Sequence, residues 1–243
     1  MIAPAMMVRS LNSASEQPPS PPVLWRGSPH RRRIALTYDD CLLLRKLQEL
    51  EELLSEYPDF RVTLFPVGFA LLNLERQDHG IWRRFVDAGH EIGYHSWDHA
   101  GIHVMSAATA LADYDRWAAA LFEVLGRPYE VHFGRPPYGV LSPTFDTLAR
   151  ERGLVVTMWS GGWGGELEVG LKAARSSRNG EIVLLHIRTQ DLNTSREAFP
   201  WLKENAWEPL TLTRLYDDVL REQHQDTGCA DNTLPSRLRT CWD

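Results

Sequence analysis

The stretch Arg31–Leu50, "RRRIALTYDDCLLLRKLQEL", ends a short apolar run on two adjacent carboxylates, Asp39 and Asp40, and follows them with leucines at helical spacing. "RIALTY" (Arg33 to Tyr38) reads as a strand, and Leu42 to Tyr57 as an amphipathic helix. On a solvated turn two neighbouring like charges would mean little. At the carboxyl end of a barrel strand, where α/β barrels carry their chemistry, they become a candidate base and a candidate metal ligand.

The alternation continues outward. Strand-like segments are expected at Phe60 to Gly68, Tyr129 to Gly134, Leu154 to Ser160 and Glu181 to Ile187. Helices are expected around Gly80 to Ala88, after Ser106 (a candidate cap), after Pro143, over Glu166 to Arg175 and over Arg196 to Glu204. Seven or so strand–helix units, without a glycine-rich dinucleotide or phosphate loop, point to an α/β barrel with a parallel sheet.

The chain has 243 residues, 43% of them hydrophobic, which suits one domain with a sizeable core. A formal charge of -6 argues against a nucleic-acid surface, and the basic run Arg31 to Arg33 reads as a solvated lead-in to the strand. No apolar run approaches the roughly 18 residues of a membrane span, so no integral membrane segment is expected. "MIAPAMMVRS" is too short and weakly apolar to read as a signal peptide. The expected division is a flexible Pro/Ser-rich segment 1–30, a catalytic domain 31–220 and a polar tail 221–243. Cys229 and Cys241 in that tail could be bridged or could be two free thiols.

Partners for the two aspartates lie downstream. His95 and His99 form an H-x-x-x-H pair in "HEIGYHSWDH", and with Asp40 they make a two-histidine, one-carboxylate set of the zinc type. Asp39 is then left as the base, with Arg135 of "GRPPYG" available to hold it. His186, ending "EIVLLH", is the candidate general acid.

"ALTYDD", "HSWDH", "RPPYG" and "LLH", in this order and at these separations, resemble the NodB-homology polysaccharide deacetylases, carbohydrate esterase family 4. The likeness runs from about Arg31 to Leu220. It implies a distorted (β/α)7 barrel and one divalent metal, usually zinc, serving to remove acetyl groups from acetylated glycans. It assigns Asp39 as base, Asp40, His95 and His99 as metal ligands, and Arg135 as the residue orienting the base. It gives His186 as acid, Leu184 as lining the acetyl pocket, and the Tyr138 backbone N–H as an oxyanion donor. Trp97 and Trp163 are expected at the sugar groove.

Two features depart from the family pattern. Cys41 stands where the family usually has glycine, and is expected to be buried and inert. "MWSGGWGGELEVG" (Met158 to Gly170) lacks the aspartate of the family's Asp-Trp element, which tunes the acid histidine. Glu166 or Glu168 is the expected substitute. His103 is expected at the surface or behind the ligands.

The leading expectation is a deacetylase of N-acetylglucosamine glycans, peptidoglycan or chitin-like. A cell-wall substrate would place it outside the membrane or at the envelope, and otherwise it would be cytoplasmic. The alternatives are an O-acetyl esterase on xylan-like glycans and a non-catalytic carbohydrate binder. The sequence leaves the oligomeric state open.

Overall fold

The computed structural model describes residues 21–227. In chain order the elements are β1 (Val23–Leu24), β2 (Arg33–Asp40), α1 (Leu44–Ser55), β3 (Val62–Pro66), α2 (Gly68–Gln77), α3 (Ile81–Asp87), β4 (Glu91–Ile92) and α4 (Ala107–Leu125). They continue with β5 (Phe133–Gly134), α5 (Pro143–Arg152), β6 (Val155–Thr157), β7 (Gly161–Gly162), α6 (Leu167–Arg175), β8 (Glu181–His186), α7 (Thr189–Glu204), β9 (Glu208–Pro209) and α8 (Leu212–Thr227).

All strand pairs in the two sheets are parallel. One arc runs β4-β3-β2-β8-β7, with β9 beside β2, and the other runs β1-β6-β5. Single bridges join them: Tyr94 with Gly134, and Arg26 with Glu181. The result is a barrel of seven strands, β2 to β8, stitched rather than fully laddered at its seams, which is the distorted (β/α)7 form expected from the motifs.

Strand β2 shows how the pleat sorts its side chains. Ile34, Leu36 and Tyr38 face outward into the apolar layer beneath the helices. Ala35 faces the lumen, in a smaller cluster with Phe65, Phe133, Ile182, Leu212 and Leu215. Because successive side chains alternate, Thr37 and Asp39 share the lumen face with Ala35. Both flanks are buried, so the strand reads as a continuous apolar run rather than as an alternation.

Helix α8 plugs the far end of the barrel. Leu212 N–H donates to Thr63 Oγ1 (3.0 Å) and Thr213 N–H to Glu91 Oε2 (3.2 Å). Burial pushes the Glu91 carboxyl above its ordinary range, and hydrogen bonds donated by Thr213 and the Thr63 hydroxyl offset part of that cost.

Three sequence expectations change. Residues 21–30, expected in a flexible segment, include β1, which pairs with β6, and Arg26, which bridges to Glu181. Helix α2 was not anticipated, because Gly68 at its start and a short apolar face mask its periodicity. Helix α7 begins at Thr189 rather than near Arg196 and carries Pro200 within it. Cys229 and Cys241 lie outside the described residues.

Candidate active site

The barrel's carboxyl end collects the predicted residues. Asp39 is buried, and its Oδ1 accepts a hydrogen bond from Arg135 Nη1 at 2.7 Å. Arg135 is fully buried. The same Nη1 donates to Thr37 Oγ1 (2.8 Å), and Nη2 donates to the Met158 carbonyl (3.2 Å). Thr37 in turn donates to the Val183 carbonyl at 2.6 Å, tying the arginine to β8. Its guanidinium lies 4.4 Å from the Phe65 ring centroid. Burial holds the Arg135 pKa below its ordinary value while Asp39 opposes that shift; it stays a cation, as guanidinium groups do.

Asp40, His95 and His99 converge, their ligand atoms all within 4.8 Å of one another. Asp40 Oδ1 lies 3.6 Å from His95 Nε2 and 3.5 Å from His99 Nε2. His95 Nδ1 is 2.8 Å from the Arg135 carbonyl, so that nitrogen carries the proton and Nε2 offers its lone pair inward. Burial holds the His95 pKa below its ordinary value and keeps the ring neutral. Asp40 Oδ1 is buried and has no hydrogen-bond partner among the described residues. An orphaned carboxylate oxygen facing imidazole lone pairs is a set of acceptors with no donor among them, and that donor set fits a divalent cation.

The loop carrying the histidines is held from two sides. The first N–H groups of α2, at Gly68 and Phe69, donate to the carbonyls of Ser96 and Trp97 (both 3.0 Å), which satisfies helix-end donors and clamps the loop. On the other side Asp113 of α4 accepts from Tyr94 Oη (2.6 Å) and from Trp97 N–H (3.0 Å). A Cβ at Gly68 would lie 2.4 Å from the Trp97 ring, so only glycine permits this approach.

Backbone strain concentrates here. Among the described residues six non-glycines have left-handed backbone, and five of them are Asp40, Cys41, Ser96, His99 and Tyr138. Each costs about 1–3 kcal/mol, and such residues persist where packing over-determines them. Cys41, at φ 55, shows why a glycine would be natural at that position. Its thiol is buried, 3.7 Å from the Tyr38 carbonyl, and burial raises its pKa well above the ordinary range.

Tyr138 is largely exposed, with its ring edge-on to His99 at 4.4 Å between centroids. Leu184 and His186 alternate on the same, half-buried face of β8. The two tryptophans differ from one another. Trp163 is buried in the main core and donates through its indole N–H to Ser177 Oγ at 3.1 Å, so its ring faces are not offered to a sugar. Trp97 is half-buried, with the Arg116 guanidinium 3.6 Å over its ring. It lines a groove of about 490 Å³ between α2 and α4. His103 is exposed and outside the ligand cluster.

Glu166 and Glu168 are exposed around the start of α6. The carboxylate beside His186 is instead Asp191, which the sequence reading passed over. Its Oδ2 lies 3.5 Å from His186 Nδ1 and accepts the His186 backbone N–H at 2.7 Å, while Oδ1 accepts from Arg188 Nε at 2.9 Å. The available signal was an acid five residues beyond the strand-end histidine, hidden because the helix was expected to start later. The contact with Asp191 raises the His186 pKa above its ordinary value, against the opposing effect of burial.

The family model described as polysaccharide deacetylase matches residues 26–157, and the chain belongs to that family. It is 28% identical over 196 residues to the peptidoglycan-N-acetylglucosamine deacetylase PgdA of Listeria monocytogenes, covering 78% of this chain and 40% of that protein. The chain thus spans about two fifths of the length of that relative. Among solved structures, a family 4 acetyl xylan esterase from Clostridium thermocellum, in complex with a cobalt ion, is 29% identical. That match has a TM-score of 0.64, covering 76% of this chain and 90% of the esterase. A CE4 family pseudoenzyme from Bacillus anthracis superposes with a TM-score of 0.73 at 22% identity, covering 82% of this chain and 70% of its own. That last likeness bears on fold alone.

Proposed function

We propose that this protein is a metal-dependent hydrolase that removes acetyl groups from N-acetylglucosamine-containing glycans, peptidoglycan or chitin-like. The observation that carries the reading is the buried, unpartnered Asp40 Oδ1 between two imidazoles, flanked by an arginine-held carboxylate and a carboxylate-held histidine. A fold shared with a pseudoenzyme does not supply catalysis, so competence rests on this chain's own residues.

Asp40, His95 and His99 would hold the cation, and two imidazoles with one carboxylate favour zinc. When bound, the cation supplies positive charge to the acetyl carbonyl oxygen and acidifies the attacking water. Asp39, fixed by Arg135, accepts the proton from that water as its oxygen adds to the carbonyl carbon. The Tyr138 N–H donates to the oxyanion. His186 gives its proton to the glucosamine nitrogen as the C–N bond breaks, leaving acetate and a free amine. Leu184 forms the apolar wall for the acetyl methyl.

Acetate release from N-acetylglucosamine oligomers, measured with zinc-loaded and chelated protein beside acetylated xylan, tests this. Zinc-dependent release from the oligomers is expected. Release from xylan alone would reassign the substrate to O-acetyl esters. No release from either by zinc-bound protein would leave a non-catalytic carbohydrate binder.

A further inference from the structure

Resting on that reading, we propose that Asp191 is the positioning carboxylate for the acid His186, standing in for the aspartate that the Gly161 to Gly165 stretch lacks.

Asp191 sits in the first turn of α7, where an acid commonly does no more than offset the helix dipole. Three facts set it apart. It is fully buried, although its helix follows directly from the strand end. Its Oδ2 accepts the backbone N–H of His186 at 2.7 Å and lies 3.5 Å from the ring Nδ1, so one oxygen faces the strand end and the imidazole together. Its other oxygen is neutralised by Arg188, which is half-exposed and shields the pair from solvent.

The glycine-rich stretch makes room for this arrangement. A Cβ at Gly164 would lie 3.1 Å from Arg188 Nη2 and 3.5 Å from Asp191 Oδ1. The backbone after β7 therefore packs closely against the Asp191–Arg188 pair at the start of α7. The carboxylate reaches the histidine from the helix after it rather than from the strand beside it.

With Nδ1 directed at Asp191, Nε2 is the nitrogen left to carry a proton toward the barrel mouth. The charged groups acting on His186 are Asp191, Asp39 and Asp40, which favour the imidazolium, and Arg188, which opposes it. Asn can still accept the His186 backbone N–H, so Asp191→Asn retains the fold contact while removing the charge.

The test follows the His186 ring resonance by NMR through a pH titration of zinc-loaded protein, assigned by its loss in His186→Gln. In Asp191→Asn the midpoint is expected to fall, by roughly tenfold in proton affinity. In Arg188→Gln it is expected to rise, because the opposing charge is gone. Turnover in Asp191→Asn should show a lower kcat at little-changed KM, with the alkaline limb moved to lower pH. A folded Asp191→Asn with an unmoved midpoint would overturn the proposal. Should that variant not fold, Arg188→Gln decides alone, and an unmoved midpoint there overturns it equally. Shifts in both variants without acetate release from any substrate would uphold the pairing and reject the deacetylase reading.

Discussion

Asp39 and His186 stand directly opposite one another on the neighbouring parallel strands β2 and β8. Adjacent strands are roughly 4.8 Å apart, so a carboxylate and an imidazole projecting from the same register level lie close beside one another at the barrel mouth. The residues proposed as base and acid thus share one rung of the ladder. Each is held from behind by a group of opposite charge, Arg135 for one and Asp191 for the other.

Asp39→Asn should lower turnover by about 10²–10⁴-fold, the range for losing a general base. Zinc binding should survive, since Asp40, His95 and His99 are untouched. Acetate release and calorimetric zinc titration on the same preparation check both halves. Loss of zinc along with activity would show that Asp39 ligates rather than acts as base.

Asp40→Gly should separate metal binding from stability. The substitution removes a buried acceptor without a partner and gives the left-handed position, φ 67, the residue that adopts it freely. Without metal, the variant is expected to be more stable than the wild type by about 1–2 kcal/mol. With zinc added the order should reverse, because only the wild type gains binding energy on folding. Thermal melts with chelator and with zinc would show the crossing.

Arg135→Leu should be among the most damaging single changes. It leaves Asp39 buried without its counter-charge, a loss on the order of 3–5 kcal/mol. Arg135→Lys should retain part of the stability yet still lose activity, since an ammonium cannot bridge Thr37, Asp39 and the Met158 carbonyl together. Urea unfolding beside turnover measures the two losses.

Acid sensitivity is expected from a histidine remote from the chemistry. Burial pushes the His90 pKa down to about 4, and its Nδ1 accepts the Val62 N–H at 3.3 Å. Between about 6.5 and 4 the unfolded chain binds a proton that the folded protein does not, so stability falls with pH across that window. The loss is roughly 3 kcal/mol in total. His90→Gln should flatten that part of the stability curve in urea titrations. An unchanged slope would assign the acid sensitivity to other groups.

The sequence made much of the site legible because its parts are short and local. A strand ending in two carboxylates, an H-x-x-x-H loop and a strand ending in Leu-x-His each carry their meaning within a few residues. Periodicity likewise exposed the barrel, since parallel strands buried on both faces must be apolar throughout. Helix α2 escaped because ten residues starting in glycine give little periodic signal. Trp163, expected at the sugar groove, packs in the core instead, because composition cannot tell a ring that packs from one that is presented.

Residue type and spacing along single strands and loops were enough to indicate the barrel and to nominate Asp40, His95 and His99 as a ligand set, Asp39 as a base and His186 as an acid. Only the tertiary structure decided how those groups are held. Arg135 reaching Asp39, the α2 amides clamping the histidine loop and Asp191 turning back onto His186 are contacts between segments that no local pattern couples. They exist because burial leaves each charge or backbone group one partner within reach, and that partner is chosen by packing.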